Sequence, residues 1–274
     1  MKQVLENVTL VCYADDNMKT SQQLCIRSAQ EKAGIAYYQD YGPENIQADQ
    51  GFYFRNMKTL EAEQRGGGKG FWLWKPYICY DVLQILNDNE HSQPQYLVYA
   101  DSGIEFIGSI KPIIDEMEKT GQQIWLFGNN HTHMKWCKKK VLQSMLYNWF
   151  DIPNILEKEQ VQASVIIFKV SDYTVDFARR WLAWSEIPGF IDDSDNIGIS
   201  DYYREHRNDQ SILTNLAIQD NIRLHWWPVQ YGHVIRDRYP DDYGQLFYHH
   251  RWREQDWSHN GHTIESFMSQ PKNI

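Results

Sequence analysis

Three aspartates occupy positions at which an α/β protein commonly keeps ligand-binding groups. Asp15 and Asp101 each follow a short apolar run, and Asp209 precedes an apolar helical stretch. Ligands in open α/β folds bind beyond the carboxyl ends of the strands, so Asp15 and Asp101 are candidates for ligand contact. Asp209 is a candidate acid–base group. Its alternative role is that of a helix N-cap or first-turn acid.

A glycine-rich segment, Arg-Gly-Gly-Gly-Lys-Gly at residues 65–70, precedes Lys75. It lacks the phosphate-loop pattern, because Glu63 and Gly70 stand where a glycine and a hydroxyl residue are required. It also lacks the dinucleotide pattern, because Phe71 replaces the last glycine. Two interpretations stay open. The segment is a mobile loop, or it folds over a ligand phosphate with the help of Lys69 and Lys75.

The tripeptide Asp101-Ser102-Gly103 places a carboxylate beside two small residues. Small residues allow a hard cation and a diphosphate to approach the backbone, although the same tripeptide is also typical of a simple turn. Near the end of the chain, His249 and His250 are adjacent. Neighbouring side chains alternate in an extended chain, so only one of the two is expected to face a site. The alternative is a pair of surface histidines.

Composition excludes several classes of protein. The formal net charge of −9 argues against a generic nucleic-acid binder. No apolar run approaches the roughly 20 residues of a membrane-spanning helix, and the first residues do not resemble a secretory signal. Four widely spaced cysteines favour a reducing, cytoplasmic setting. Hydrolase and zinc-protease motifs are absent from the sequence, and His131, His133 and Cys137 lack a fourth zinc ligand at standard spacing.

Alternating strands and helices in the first two-thirds of the chain predict an α/β fold with a mostly parallel sheet flanked by helices. The predicted strands cover residues 8–14, 35–38, 96–100, 124–127 and 163–170. The predicted helices cover residues 21–33, 52–63, 76–87, 110–119, 173–185 and 209–218. Without repeats or a linker, a single domain over residues 1–274 is expected.

An unusual number of aromatic residues continues to the end of the chain. Aromatic residues make up 14% of the sequence, with 11 Trp, and helical periodicity fades after residue 225. The last 50 or so residues carry few helix signals and are expected to be irregular. A long irregular segment that keeps many aromatic residues is expected to pack over a site.

Three matches, which cover four segments, together resemble nucleotide-sugar glycosyltransferases of the GT-A fold. Residues 68–76, Gly-Lys-Gly-Phe-Trp-Leu-Trp-Lys-Pro, followed by Tyr-Ala-Asp-Ser-Gly at 99–103, resemble a bacterial and viral group of these enzymes. Residues 208–213, Asn-Asp-Gln-Ser-Ile-Leu, resemble the start of the Asp-Gln helix in glycogenin-like and lipopolysaccharide sugar transferases. The sequence at 249–251 resembles the late metal-binding histidine of many GT-A enzymes. The resemblance spans about residues 8 to 252.

The resemblance implies a single GT-A-like, Rossmann-related domain, with a donor half over about residues 1–160 and an acceptor and lid half over about 161–274. It implies transfer of a sugar from a nucleoside-diphosphate sugar, with uridine as the expected nucleoside, to a glycan or glycolipid acceptor. Retention of configuration is the expected outcome. The implied catalytic residues are Asp209 and Gln210. The expected donor-binding residues are Asp15, Lys69, Trp74, Lys75, Ser102 and Gly103.

A divalent cation, Mn²⁺ or Mg²⁺, is implied by the same resemblance, with Asp101 and His250 as its ligands. The sequence departs from the usual Asp-x-Asp motif, because Gly103 stands at the second aspartate. Glu105 or a water molecule is then the expected substitute. Peripheral contact with the inner face of a membrane is left open. Two alternative functions also stay open: a non-catalytic carbohydrate-binding protein and a sugar nucleotidyltransferase.

Overall fold

A six-stranded sheet forms the centre of the structure, a computed structural model that describes residues 3–63, 69–89, 92–228 and 243–270. Its strands, in chain order, are β1 (Leu5–Tyr13), β2 (Ile35–Tyr41), β3 (Tyr96–Ala100), β5 (Ile124–Thr132), β6 (Glu159–Lys169) and β7 (Leu224–His225). A separate two-stranded sheet pairs β4 (Ile104–Phe106) with β8 (Phe247–His249).

The order of strands in the large sheet is β2-β1-β3-β6-β5-β7. β1 runs parallel to β2 and β3, and β5 runs parallel to β7, whereas β6 is antiparallel to both of its neighbours. Five of the six strands therefore share one direction, and the predicted mostly parallel sheet is confirmed. Because β6 is reversed, its first residues lie at the same edge as the carboxyl ends of β1, β3 and β5.

Helices cover both faces of this sheet. Their bounds are α1 (Lys19–Ser28), α2 (Pro43–Ala48), α3 (Gln50–Leu60), α4 (Trp74–Asp88), α5 (Lys111–Thr120), α6 (Lys139–Met145), α7 (Asp172–Ser185), α8 (Asn208–Gln219), α9 (Glu254–Asn260) and α10 (Ile264–Ser269). A π-helical turn at Ala29–Ala33 extends α1, and short 3-10 turns lie at Asp16–Met18, Gly70–Trp72, His133–Lys135, Trp149–Asp151 and Ile155–Glu157. Within the described ranges, no helix has the length and apolarity that a membrane span requires.

The strands are apolar throughout because both faces of the sheet are buried. Side chains alternate across a strand. Leu97 and Tyr99 therefore face the core beneath α4, α7 and α8, while Tyr96 and Val98 face the core beneath α1 and α5. The same alternation on the other strands divides the hydrophobic interior into two layers, and the sheet lies between them.

Every predicted strand and helix is present, with bounds shifted by a few residues. Several short elements lay outside the predictions: α2, α6, β4, β7 and β8. The expected lack of helices after residue 225 is wrong for the described residues, since α9 and α10 lie there. Both helices are short. Trp257 of α9 and Phe267 of α10 pack with Leu24 of α1. The two helices are therefore stabilised by tertiary contact, and their sequences are too short to show a helical periodicity.

Two other predictions fall partly outside the described residues. Residues 64–68 include most of the glycine-rich segment, and residues 229–242 belong to the aromatic C-terminal segment.

Candidate functional site

A buried lysine joins two aspartates at the carboxyl edge of the sheet. The Lys75 Nζ lies 3.2 Å from an Asp101 carboxylate oxygen and 3.1 Å from an Asp209 carboxylate oxygen. It also donates to the carbonyl of Ala163 at 3.2 Å. An ammonium group has three N–H donors, and all three have a partner here. We call Lys75, Asp101 and Asp209 the charged triad.

Each member of the charged triad comes from a different element. Asp101 directly follows β3, and its N–H donates to the carbonyl of Ser164 on β6 at 2.8 Å. Lys75 is the second residue of α4 and Asp209 the second residue of α8. The indole N–H of Trp181 on α7 donates to the Asp209 carbonyl at 3.1 Å and anchors the first turn of α8. The N-cap of α8 is Arg207, so Asp209 is a first-turn acid and not the cap.

A strained turn delivers Lys75 to this position. Gly70, Phe71 and Trp72 have φ angles of 78°, 47° and 59°, in the left-handed region. This region costs a non-glycine residue roughly 1–2 kcal/mol. Phe71 and Leu73 are buried in the core beneath α4, and their burial offsets the strain. Strain of this kind is most often found at functional sites.

Burial and mutual charge set the protonation of the charged triad. Burial raises the pKa of Asp209 to about 6; the charge of Lys75 opposes this rise and that of Asp101 adds to it. Burial also acts to raise the pKa of Asp101, but Lys75 and the Tyr99 hydroxyl outweigh it and hold that pKa below its usual value. The two carboxylates likewise raise the pKa of Lys75 despite its burial. At neutral pH, Asp101 and Lys75 are therefore charged, and Asp209 titrates just below neutrality.

The C-terminal segment packs directly on the predicted motif at residues 101–103. Gly103 accepts a backbone hydrogen bond from His250 at 3.0 Å. A Cβ on Gly103 would lie 3.1 Å from the Cα of Arg251. An aspartate at position 103 would therefore crowd the main chain of Arg251, which is consistent with the departure from Asp-x-Asp.

The two adjacent histidines face different ways, as their alternation predicts. His249 is buried, and burial followed by the charge of Arg251 lowers its pKa to about 4, against the opposing charge of Asp101. The Arg251 Nε donates to His249 Nε2 at 3.1 Å. His250 was the expected metal ligand, but its ring instead lies among Tyr248, Trp257 and Phe267. The histidine that lies close enough to Asp101 to interact with it is therefore His249.

The expected donor-binding residues lie around the charged triad at different distances from it. Ser102 and Gly103 follow Asp101, and Ser102 is buried. Asp15 is half-buried and accepts from the N–H of Asn17 at 3.1 Å. Lys69 is turned toward Glu61 at 3.3 Å, and its side chain is 59% exposed.

Trp74 forms an aromatic stack that the sequence did not reveal. Its ring lies 4.1 Å from the ring of Tyr13, nearly parallel at 18°. Tyr13 is the last residue of β1, so the stack stands beside Asp15 at the carboxyl edge. The signal in the sequence was the aromatic residue at the end of an apolar strand, two residues before the aspartate.

Gln210 belongs to a cluster of side-chain amides that the sequence analysis also missed. Gln210 Nε2 and Asn129 Nδ2 donate to Gln160 Oε1 at 2.9 Å and 3.3 Å. Gln160 is fully buried, and its own Nε2 has no hydrogen-bond partner within the described ranges. The available signal was the polar start of β6, where Gln160, Gln162 and Ser164 alternate before the strand becomes apolar.

The described residues do not fit the expected divalent cation. Asp101 and Asp209 are already neutralised in part by Lys75. Glu105, the expected substitute ligand, pairs with Lys32 at 2.6 Å. Among residues 3–63, 69–89, 92–228 and 243–270, no group of three His, Cys, Asp or Glu side chains is arranged to hold a metal. Use of a cation therefore stays a prediction of the sequence resemblance.

An open cleft of about 620 Å³ lies elsewhere, along the outer edge of β2. Its lining includes Asp40, Asp49 and Asp81. The hydroxyls of Tyr77 and Tyr41 bind the second and third of these carboxylates at 3.0 Å and 2.6 Å. None of the residues expected from the sequence to form a site lines this cleft.

Comparison with known proteins gives likenesses of structure only. No protein-family model matches the chain, and no curated protein sequence matches it. Mouse xyloside xylosyltransferase 1, in its apo form, is similar with a TM-score of 0.45 and 11% identity, over 88% of this chain and 97% of that one.

Two further solved structures are similar over part of the chain. The apo bifunctional glycosyltransferase WbbM gives a TM-score of 0.45 at 14% identity, over 83% of this chain, which spans 40% of that protein. The galactosyltransferase LgtC, in complex with donor and acceptor sugar analogues, gives 0.38 at 16% identity, over 76% and 70% of the two chains. At these TM-scores the likenesses carry no functional conclusion.

Replacement of Lys75 by methionine tests the electrostatics of the charged triad. We expect Lys75→Met to lower the free energy of unfolding by about 3–5 kcal/mol near neutral pH, because it leaves buried carboxylates without their cation. Asp209 then has a folded-state pKa even further above its unfolded value. Stability is therefore lost as the pH rises through that folded-state pKa, and the defect is smaller at about pH 5. Urea unfolding at both pH values measures it.

Two controls accompany this variant. Lys119→Met removes an exposed surface cation and is expected to change stability by less than about 0.5 kcal/mol. Lys75→Met combined with Asp209→Asn is expected to recover part of the loss, because the two residues are in contact. Strictly additive effects of the two substitutions would contradict the interaction.

Proposed function

We propose that the protein is a glycosyltransferase of the GT-A fold that uses a nucleoside-diphosphate sugar. The observation that carries this proposal is the convergence of three of the four segments that resemble this family, at residues 68–76, 99–103 and 208–213. Each segment contributes one member of the charged triad: Lys75 from the first, Asp101 from the second and Asp209 from the third. Residues far apart in the sequence thus meet within hydrogen-bond distance at the sheet edge where α/β proteins bind ligands.

Asp209 is the proposed catalytic carboxylate. Its pKa of about 6 leaves it largely ionised at neutral pH, yet close enough to neutrality to exchange a proton. A carboxylate beside the transferred sugar either removes the proton of the acceptor hydroxyl or stabilises positive charge at the anomeric carbon. Retention of configuration remains an expectation of the sequence resemblance.

Lys75 is proposed as a positioning residue and not as a direct diphosphate ligand. Its ammonium already forms ion pairs with Asp101 and Asp209 and donates a hydrogen bond to the carbonyl of Ala163. It fixes the two carboxylates relative to each other and lowers the repulsion between them. Direct contact of Lys75 with a diphosphate, as expected from the sequence, would require one of these partners to be given up.

The donor is proposed to lie over the carboxyl ends of β1 and β3. The Tyr13–Trp74 stack and Asp15 border this region on one side, and Ser102 and Gly103 border it on the other. Asp15 is proposed to contact the base or ribose. The choice of uridine rests on the sequence resemblance alone. Arg251, whose main chain and Cγ lie against Gly103, is proposed to supply the cation for the leaving diphosphate.

Nucleotide binding tests the proposal directly. We expect uridine diphosphate sugars to raise the melting temperature, because a ligand that binds only the folded state stabilises it. We expect equal shifts with Mn²⁺ and with EDTA, because the Lys75 ammonium already pairs with both carboxylates. A larger shift with Mn²⁺ would instead support the cation that the resemblance implies.

The product identifies the class of reaction. Release of nucleoside diphosphate indicates a glycosyltransferase, and release of pyrophosphate from a sugar phosphate and nucleoside triphosphate indicates a nucleotidyltransferase. Sugar binding without turnover indicates a carbohydrate-binding protein. No shift with any uridine, guanosine or cytidine diphosphate sugar would exclude the proposed donor.

Asp209→Asn tests the role of the catalytic carboxylate. The substitution keeps the size of the side chain and removes its charge. We expect kcat to fall on the order of 10²–10⁴-fold while nucleotide affinity is kept, as is typical for loss of a positioned acid–base group. Release of nucleoside diphosphate measures the rate, and Asp195→Asn, at an exposed loop position, serves as the matched control. Turnover near that of the wild type would reduce Asp209 to a structural residue.

The pH dependence of kcat follows from the same residue. Asp209 is protonated below its pKa of about 6, so kcat is expected to fall about tenfold per pH unit on the acid side. The pKa of Asp101 is lowered and that of His249 is about 4, so neither residue explains this acid limb of the pH profile, the fall of kcat below about pH 6. The residual activity of Asp209→Asn is expected to lack the limb. An unchanged acid limb in that variant would assign it to another group.

A further inference from the structure

A group of basic residues surrounds a tryptophan at the carboxyl end of β5. His131, Lys135, Trp136, Arg204 and Arg207 form what we call the basic–aromatic patch. Backbone hydrogen bonds join its two segments, from Arg204 N to Lys135 O at 2.8 Å and from Arg207 N to Trp136 O at 3.0 Å. The Arg207 guanidinium lies 4.2 Å from the centre of the Trp136 ring, and the His131 ring lies 5.4 Å from it.

Positive charge is concentrated in this patch although the whole chain carries −9. After burial, the charges of Arg207, Lys135 and Arg204 all act to lower the pKa of His131, which shows that the four groups lie close together. The carboxylates that face the patch are Glu205, 3.2 Å from Arg207, and Glu159, which accepts from the N–H of Asn130. Arg204, Arg207 and Lys135 thus bring three permanent cations together, and Glu205 is paired with one of them.

A chain of polar contacts leads from the patch to the charged triad. His131 N donates to Asn129 Oδ1 at 3.0 Å, and Asn129 and Gln210 both donate to Gln160. Gln210 follows Asp209 directly in α8. Two buried donors along this path, Gln160 Nε2 and the indole N–H of Trp136, have no hydrogen-bond partner in the described part of the chain. Buried donors are normally satisfied, so each of these two requires an acceptor oxygen that the described residues do not supply.

The strand order places the patch opposite the proposed donor site. Asp15 and Ser102 follow β1 and β3, on one side of the charged triad. The patch follows β5, which lies beyond β6 on the other side. A group transfer between two molecules needs one substrate on each side of the reacting group. The patch therefore lies where the acceptor of such a reaction would bind.

We propose that the basic–aromatic patch binds an acidic glycan, whose carboxylate or phosphate group is held by Arg204 and Arg207 and whose sugar ring packs on Trp136. This assignment rests on the proposed glycosyltransferase function and specifies its acceptor. Arginine forms paired hydrogen bonds with planar carboxylates and with phosphates, and aromatic rings pack against sugars. The partly exposed amides of Asn129 and Gln210 along the path bind the hydroxyls of the same glycan and direct one of them to Asp209.

Calorimetric titration with three oligosaccharides tests the assignment. The probes are neutral cellotetraose, tetragalacturonate as the carboxylate and a phosphorylated mannose oligosaccharide as the phosphate. We expect the wild type to bind at least one acidic probe about tenfold or more tightly than the neutral one, with the preference weakened by added salt. Comparison of the two acidic probes identifies which anionic group is preferred.

A charge-matched pair of double variants locates the binding. Arg204→Gln/Arg207→Gln is expected to weaken acidic-probe binding about 10–100-fold, typical for loss of two charge-assisted hydrogen bonds in a partly exposed site. Lys119→Gln/Lys169→Gln removes the same charge at the opposite edge of the sheet, where Lys169 pairs with the first residue of β3. This control is expected to bind the acidic probes as the wild type does.

Uridine diphosphate is titrated into all three proteins so that failures can be told apart. Unchanged nucleotide affinity in the patch variant supports an acceptor site, and its loss would assign the patch to the donor and overturn the proposal. Equal binding of neutral and acidic probes, absence of acidic-probe binding, or an equal effect of the control variant would also overturn it. Failure of the wild type to bind any nucleotide sugar would instead contradict the proposed glycosyltransferase function.

Discussion

The buried contact of one ammonium with two carboxylates is the constraint on which the site depends. A charge inside a protein is stable only with a partner of opposite sign, and Lys75 has two such partners together with a backbone carbonyl. α4, β3 and α8 must therefore end or begin within a few ångströms of one another. The reversed β6 fills the gap between β3 and β5 and supplies the carbonyl of Ala163. A small displacement of any of these elements would leave a buried charge unpaired.

The charge balance of the triad also divides the two carboxylates into different roles. One cation cannot fully neutralise two buried anions, so one carboxylate keeps its charge and the other titrates near neutrality. Tyr99 decides between them, because its hydroxyl donates to Asp101 and stabilises that anion. Burial therefore destabilises the charged form of Asp209 and raises its pKa. A raised pKa suits a carboxyl group that accepts and releases a proton during a reaction. The strained turn at Gly70–Trp72 is tolerated because it holds Lys75 between the carboxylates of Asp101 and Asp209.

Much of the fold was readable from the sequence, and the site only in part. The apolar runs and helical faces predicted the strands and long helices because burial on both faces of a sheet leaves a strong signal. Lys75, Asp101 and Asp209 were all candidate site residues. Nothing in the sequence showed that Lys75 would form ion pairs with both aspartates. The Tyr13–Trp74 stack, Gln160 and the choice of His249 depend on which side chains meet across elements. A single sequence carries no record of such pairings, nor of helices as short as α9 and α10.

The close packing of Gly103 against Arg251 has a consequence for how the protein is made. A wall of the site is built from residues that follow all three members of the charged triad in the chain. During synthesis the ribosome therefore delivers the lysine and both aspartates before the segment that borders them. The central sheet can begin to assemble on the nascent chain, but the site is completed only by contacts of high sequence separation, which are slow to form. Each new molecule therefore becomes able to bind a ligand only late in folding, after most of the core has formed.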